Sequence, residues 1–131
     1  IAIILLFMGS VVNAQTDPTG LKVGDMAPMF SGNDQNGQQF SLQSALKKGD
    51  VVLMFYRGQW CPYCNKQMSQ MNDSLKMITD KGATVIAISP EVQESVQKTI
   101  EKTKASFPVI SDVKMQIMKD YKVNFSVPQE T

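Results

Sequence analysis

Apolar residues in this chain fall into two kinds of run. Val51 to Tyr56 and Ala83 to Ser89 are almost continuously apolar. That pattern suits inner strands of a sheet covered on both faces. Between them Met68, Met71, Leu75 and Ile78 recur at spacings of three and four. This predicts one amphipathic helix, opened by Pro62 in its first turn and ended by Gly82. A second helix is predicted from Ser89-Pro90-Glu91 to about Lys104, with Val92, Val96 and Ile100 on one face. Phe107 to Ile110 reads as a third strand. Val113 to Tyr121 reads as a short helix carrying Met115, Ile117 and Met118, and the chain beyond Val123 reads as irregular. Upstream, Pro28 disfavours helix at Ala27. Asn36-Gly37 predicts a tight hairpin between Phe30 and Phe40, and Ser41 predicts the cap of a short helix to about Lys47. Strands alternating with helices imply an α/β fold with a mostly parallel sheet and right-handed crossovers.

The N-terminal run has a different meaning. Ile1 to Met8 is apolar, and Val12-Asn13-Ala14 resembles a small-residue cleavage site before Gln15. Residues 1–14 therefore read as a secretory signal. No charged segment precedes it and the first residue is Ile, so the signal reads as clipped. The run is too short to predict a membrane span. The expected organisation is a signal over 1–14, a polar linker over 15–21 and one domain over 22–131. The expected location is outside the cytoplasm, periplasmic or secreted, with no stable membrane insertion after the signal is removed. A buried N-terminal strand or helix is the plainer alternative.

Composition narrows the chemistry. The 131 residues are 43% hydrophobic and 19% charged, with a formal net charge of +1. That is enough for one cored domain, and without a like-charge run it gives no footprint for nucleic acid. There is no histidine, which removes imidazole acid–base catalysis and weakens zinc and iron proposals.

The two cysteines, Cys61 and Cys64, stand in a C-x-x-C that follows the first apolar strand and opens the first long helix. Strand, turn, C-x-x-C and helix is the context of a redox motif. Unpaired N–H groups and the positive end of a helix dipole favour an anion at Cys61, which lowers a thiol pKa. Cys61 is therefore the expected attacking thiol in disulfide exchange and the more exposed sulfur. Cys64, one turn in, closes the disulfide. Arg57 can stabilise a thiolate by charge, and Trp60 is expected beside the sulfurs, limiting access. Pro62 and Tyr63 make the glutaredoxin dipeptide, which implies a milder reductant than thioredoxin, roughly −200 to −230 mV against −270 mV. The sulfurs carry the electrons, so no cofactor is required. Competing readings are an inert structural disulfide and a Cu(I) carrier joining the thiolates to Met68 or Met71. Those methionines also fall on the helix stripe, where core packing explains them.

Phe55-Tyr-Arg-Gly-Gln-Trp-Cys-Pro-Tyr-Cys64 resembles the active-site segment of the peroxiredoxin-like branch of the alkyl hydroperoxide reductase/thiol-specific antioxidant (AhpC/TSA) family. Val23-Gly-Asp-Met-Ala-Pro-Met-Phe30, Ala83 to Ser89 and Phe107 to Asp112 resemble its flanking segments, so the resemblance covers roughly residues 22 to 128. It implies a thioredoxin-like fold with peroxiredoxin-type additions. Such folds continue into further strands and a last helix, so the sequence reads as truncated at its C-terminus. The strand over 51–56 is then expected to keep an unpaired edge.

The resemblance implies an antioxidant that reduces hydroperoxides through a Cys61–Cys64 disulfide, with an unidentified thiol or disulfide electron donor; the signal reading adds export. The alternative is a thioredoxin-like reductase of protein disulfides. Aligned on Cys64, the family's P-x-x-x-T-x-x-C places Arg57 at the proline and Cys61 at the threonine. On that alignment Cys64 would attack peroxide and Cys61 would resolve the sulfenic acid.

Overall fold

The computed structural model describes residues 17–126. The signal reading over 1–14, the first part of the linker and residues 127–131 lie outside the described residues. A hairpin comes first: β1 (Ser31–Asn33) pairs antiparallel with β2 (Gln39–Ser41) across the predicted turn. The Asp34 carboxylate accepts the Asn36 and Gln38 N–H groups at 2.8 and 2.9 Å, which closes that turn. Ser41 caps α1 (Leu42–Leu46) as expected, its hydroxyl accepting the Ser44 N–H.

The sheet has three parallel strands in the order β3 (Val51–Phe55), β4 (Thr84–Ser89), β5 (Val109–Ser111). Alternation along β3 sends side chains to two cores. Val52, Met54 and Tyr56 join a cluster with Val85, Ala87, Val109, Met68 and Val96. Val51, Leu53 and Phe55 join the opposite cluster, with Ile86, Ile88, Ile110, Phe30 and Phe40. Helices α2 (Pro62–Asp73), α3 (Leu75–Thr79) and α4 (Gln93–Thr103) supply side chains to the first cluster. The hairpin and α5 (Gln116–Asp120) supply the second.

β3 keeps the unpaired edge expected of it, and the helices differ from the pattern at three points. β3 is covered on both faces but is an edge strand, pairing with β4 alone among the described residues. It is only half-buried except at Met54. The helix expected from Pro62 to Gly82 breaks at Ser74. Asn72, Asp73 and Ser74 are poor helix formers, and the Asn72 side chain is engaged by the N–H and hydroxyl of Ser106, both at 2.9 Å. The apolar stripe nevertheless runs across the break through Met71, Leu75 and Ile78. Finally, α4 starts at Gln93 and α5 at Gln116, later than predicted. At α5 the Asp112 carboxylate accepts the Gln116 and Met118 N–H groups at 3.0 Å each, so the first turn forms beyond it.

No helix of the described residues is long and apolar enough to cross a membrane.

Candidate active site

Parallel strands bring the chain segments that follow them to one edge of the sheet. Phe55 is in register with Ile88, and the Tyr56 N–H still bonds the Ile88 carbonyl at 3.0 Å. The segments Arg57–Trp60 and Ser89–Val92 therefore leave the sheet side by side. The first turns sharply, with the Cys61 N–H donating to the Gly58 carbonyl at 3.1 Å, and runs into α2. Cys61 is the N-cap of α2, in extended conformation, with Pro62 at the first helical position. Its sulfur accepts the Cys64 N–H at 3.4 Å. A side chain that caps a helix through an N–H donor is stabilised as an anion.

Both cysteines are free thiols and both belong to the first core cluster. The expectation that Cys61 is the more exposed is corrected: Cys61 is 3% exposed and Cys64 9%. The Gly58–Cys61 turn folds the capping sulfur inward. What separates the two is ionisation. Cys61 is held below the ordinary thiol range, first by a hydrogen bond from the Cys64 thiol, which outweighs desolvation. The Cys64 N–H, the Arg57 charge and the Tyr63 N–H add to this. Cys64 is pushed up, first by burial, then by its bond to Cys61 and the charge there. The two sulfurs are thus shifted in opposite directions, Cys61 toward the thiolate and Cys64 toward the thiol.

Arg57 is exposed, and its guanidinium lies 4.8 Å from the centroid of the Trp60 ring. Trp60 is itself 57% exposed, so its face serves as a platform for the cation beside the sulfurs. Tyr63 points to solvent at 85% exposure, and Lys66 is exposed. Met68 is fully buried in the core with Met71 packed against the same cluster, as the helix stripe predicts. Next to the motif an apolar cavity of about 560 Å³ is lined by Phe55, Tyr56, Arg57, Trp60, Pro90 and Met118, among others.

Pattern reading missed the residues that hold the turn. Glu91 Oε2 accepts the Gln59 N–H at 2.9 Å. The Gln59 carbonyl accepts from Asn65 Nδ2 at 2.9 Å and from Lys102 Nζ at 3.0 Å. Gly58 allows this closeness. A Cβ there would lie 2.5 Å from Trp60 Nε1 and 2.6 Å from Glu91 Oε1. The available signal was topological: Glu91 follows the C-terminal end of β4, beside the end of β3.

A buried C-x-x-C capping the helix that follows a parallel strand, with its two thiols shifted in opposite directions, defines a redox dithiol of the thioredoxin-fold class. The AhpC/TSA family pattern matches residues 23–130, and the chain belongs to that family. It is 30% identical over 128 residues to the thiol-disulfide oxidoreductase ResA of Geobacillus kaustophilus, covering 93% of this chain and 72% of ResA. It is 31% identical over 103 residues to the peroxiredoxin Bcp of Escherichia coli, covering 79% of this chain and 65% of Bcp.

Among solved structures, the peroxidoxin BcpB of Mycobacterium tuberculosis superposes with a TM-score of 0.72 at 26% identity, covering 86% of this chain and 70% of BcpB. The thioredoxin domain of a Bacteroides vulgatus thiol-disulfide oxidoreductase gives 0.66 at 28% identity, covering 77% and 74%. The protein is thus a thiol-dependent oxidoreductase.

Proposed function

We propose that the protein carries out thiol–disulfide exchange with Cys61 as nucleophile and Cys64 as the thiol that closes the cycle. The observation that carries this reading is the Cys61 sulfur capping α2, where it accepts the Cys64 N–H at 3.4 Å, an arrangement that goes with a lowered Cys61 and a raised Cys64. The Cys61 thiolate attacks one sulfur of a substrate disulfide, and the other sulfur leaves as a thiolate that takes up a proton. Cys64 then gives up its proton and attacks Cys61 Sγ, expelling the second substrate thiol. Two electrons pass to the substrate and a Cys61–Cys64 disulfide remains for the reductant partner. Arg57 supports the thiolate by charge, Trp60 holds the Arg57 guanidinium, and Pro62 starts the helix whose N–H the sulfur caps. Tyr63, exposed beside the pair, lies where a substrate approaches.

Hydroperoxide reduction is the second reading, favoured by the family and by the likeness to Bcp. In that reaction the same Cys61 thiolate takes the terminal peroxide oxygen. It releases an alcohol or water and becomes a sulfenic acid, which Cys64 converts to the disulfide with loss of water. The sulfur alignment made Cys64 the peroxidatic thiol, but the raised Cys64 and lowered Cys61 support the opposite order.

Purified protein with a dithiol electron source tests both readings, on a protein disulfide and on hydrogen peroxide. Turnover of the disulfide, lost in Cys61→Ser, supports the first. Turnover of peroxide alone replaces it with the second, and turnover of neither removes both.

Export is proposed with the function, from the apolar run Ile1–Met8 and the Val12-Asn13-Ala14 site, so that the protein works in the periplasm or as a secreted enzyme. Cell fractionation with mass measurement checks it: a cytoplasmic protein retaining residues 1–14 refutes export.

A further inference from the structure

We infer that Glu91 and Lys102 are positioning residues for the Cys61 sulfur, acting together through the peptide of Gln59. The inference rests on the proposed role of Cys61 and adds residues far from it in sequence. Neither side chain bonds a cysteine. Both bond the one residue between Gly58 and Trp60 whose two peptide bonds set the path into Cys61.

The clamp closes on Gln59 from several directions. Its N–H is taken by the Glu91 carboxylate at 2.9 Å. Its carbonyl is taken by Lys102 from the last turn of α4, at 3.0 Å, and by Asn65 from α2, at 2.9 Å. Lys102 also donates to the Gln59 side-chain oxygen. Glu91 is itself fixed: its N–H donates to Ser89 Oγ at 3.3 Å, and its carbonyl accepts from the Ser111 hydroxyl. The segment that sequence pattern assigns to the start of a helix is instead a loop, and the loop places the carboxylate on the turn. Hydrogen bonds to charged groups are the stronger kind, and here two opposite charges grip the two sides of one residue.

Geometry gives the clamp its function. Cys61 accepts the Cys64 N–H only while the Gly58–Cys61 turn holds its sulfur over the first turn of α2. A loosened turn lets the sulfur leave the cap and lose that donor. Arg57 and Cys64 are the other charged or titratable groups acting on Cys61.

Sign separates positioning from through-space charge. A nearby carboxylate disfavours a thiolate, so if Glu91 acted by charge alone its removal would make Cys61 more acidic. Positioning predicts the reverse for Glu91→Ala and no change for Glu91→Gln, whose amide oxygen still accepts the Gln59 N–H.

The experiment is alkylation of the reduced full chain by iodoacetamide across pH, with fragment masses separating Cys61 from Cys64 and thermal unfolding run in parallel. Wild type is measured first: a Cys61 without early ionisation defeats the proposed function. With wild type ionising early, Glu91→Ala is expected to slow Cys61 alkylation at neutral pH on the order of tenfold, the rate equivalent of one pKa unit. Glu91→Gln is expected to stay within about twofold on the same scale. Lys102→Met, at an exposed position that leaves the fold intact if Glu91→Ala does not, is expected to slow it several-fold. Unchanged alkylation in Lys102→Met, faster alkylation in Glu91→Ala, or equal loss in Glu91→Gln and Glu91→Ala would overturn the inference.

Discussion

Replacing Gly58 by alanine puts a methyl group where three parts of the site meet. The new Cβ would lie 2.5 Å from Trp60 Nε1, 2.6 Å from Glu91 Oε1 and 2.8 Å from Glu91 Cδ. At φ 157° an L side chain is also strained, so the need for glycine here comes from torsion as well as from space. Both obstructing groups are side-chain ends and can move, so the fold survives, but each movement has a consequence.

A displaced Glu91 loses its bond to the Gln59 N–H, a charged hydrogen bond worth about 1.5–3 kcal/mol. A displaced Trp60 loses the Arg57 cation–π contact, about 0.5–1 kcal/mol at an exposed site. Water recovers part of both, so the expected net cost is about 1–3 kcal/mol, the usual range for overpacking. That corresponds to a fall in Tm of roughly 3–12 °C for a domain of this size. Thermal unfolding of reduced protein reads the stability, and iodoacetamide alkylation at neutral pH reads Cys61. The variant should melt earlier and alkylate more slowly. A Tm within about 2 °C of wild type, with unchanged alkylation, would refute the close packing of Glu91 and Trp60 on this turn.

Met68→Ala removes a side chain with no solvent exposure and should cost about 2–5 kcal/mol in urea unfolding. A loss under about 1 kcal/mol would place Met68 outside the core. Arg57→Met should raise the Cys61 pKa only slightly, since the cation ranks behind the Cys64 thiol, desolvation and the Cys64 N–H; a pH profile of alkylation checks it, and a large shift would make charge the dominant cause. Cys64→Ser should trap the substrate as a stable mixed disulfide on Cys61, visible by mass, whereas trapping on Cys64 in Cys61→Ser would reverse the roles.

Burial raises Tyr56 and Tyr121 above the ordinary value of 10.0. The folded protein then holds protons that the unfolded chain releases, so their contribution is complete below pH 10.0 and is lost as pH rises through the folded values. Cys64→Ser protein unfolded across alkaline pH should lose stability there, and a flat profile would contradict the burial of both rings.

The parts of the fold legible in the sequence are those set by local chemistry. Asn36-Gly37, Ser41 and Pro62 each act within a few residues, and each produced the expected turn, cap or helix start. The C-x-x-C was legible for the same reason, since a capping sulfur and the N–H it accepts lie three residues apart. What was not legible depends on contacts between distant segments. Nothing local separates a helix starting at Pro90 from a loop whose Glu91 reaches Gln59, 32 positions earlier. The relative exposure of the two sulfurs was misjudged because helix position alone was considered, and the Gly58–Cys61 turn decides it.

The most direct test is residue-specific titration of the two thiols in the reduced protein, by ultraviolet thiolate absorbance together with alkylation mapped by mass. The account predicts two separated ionisations, Cys61 below the ordinary thiol range and Cys64 above it. A Cys61 that stays protonated until Cys64 also ionises, or a Cys64 that ionises first, would contradict it.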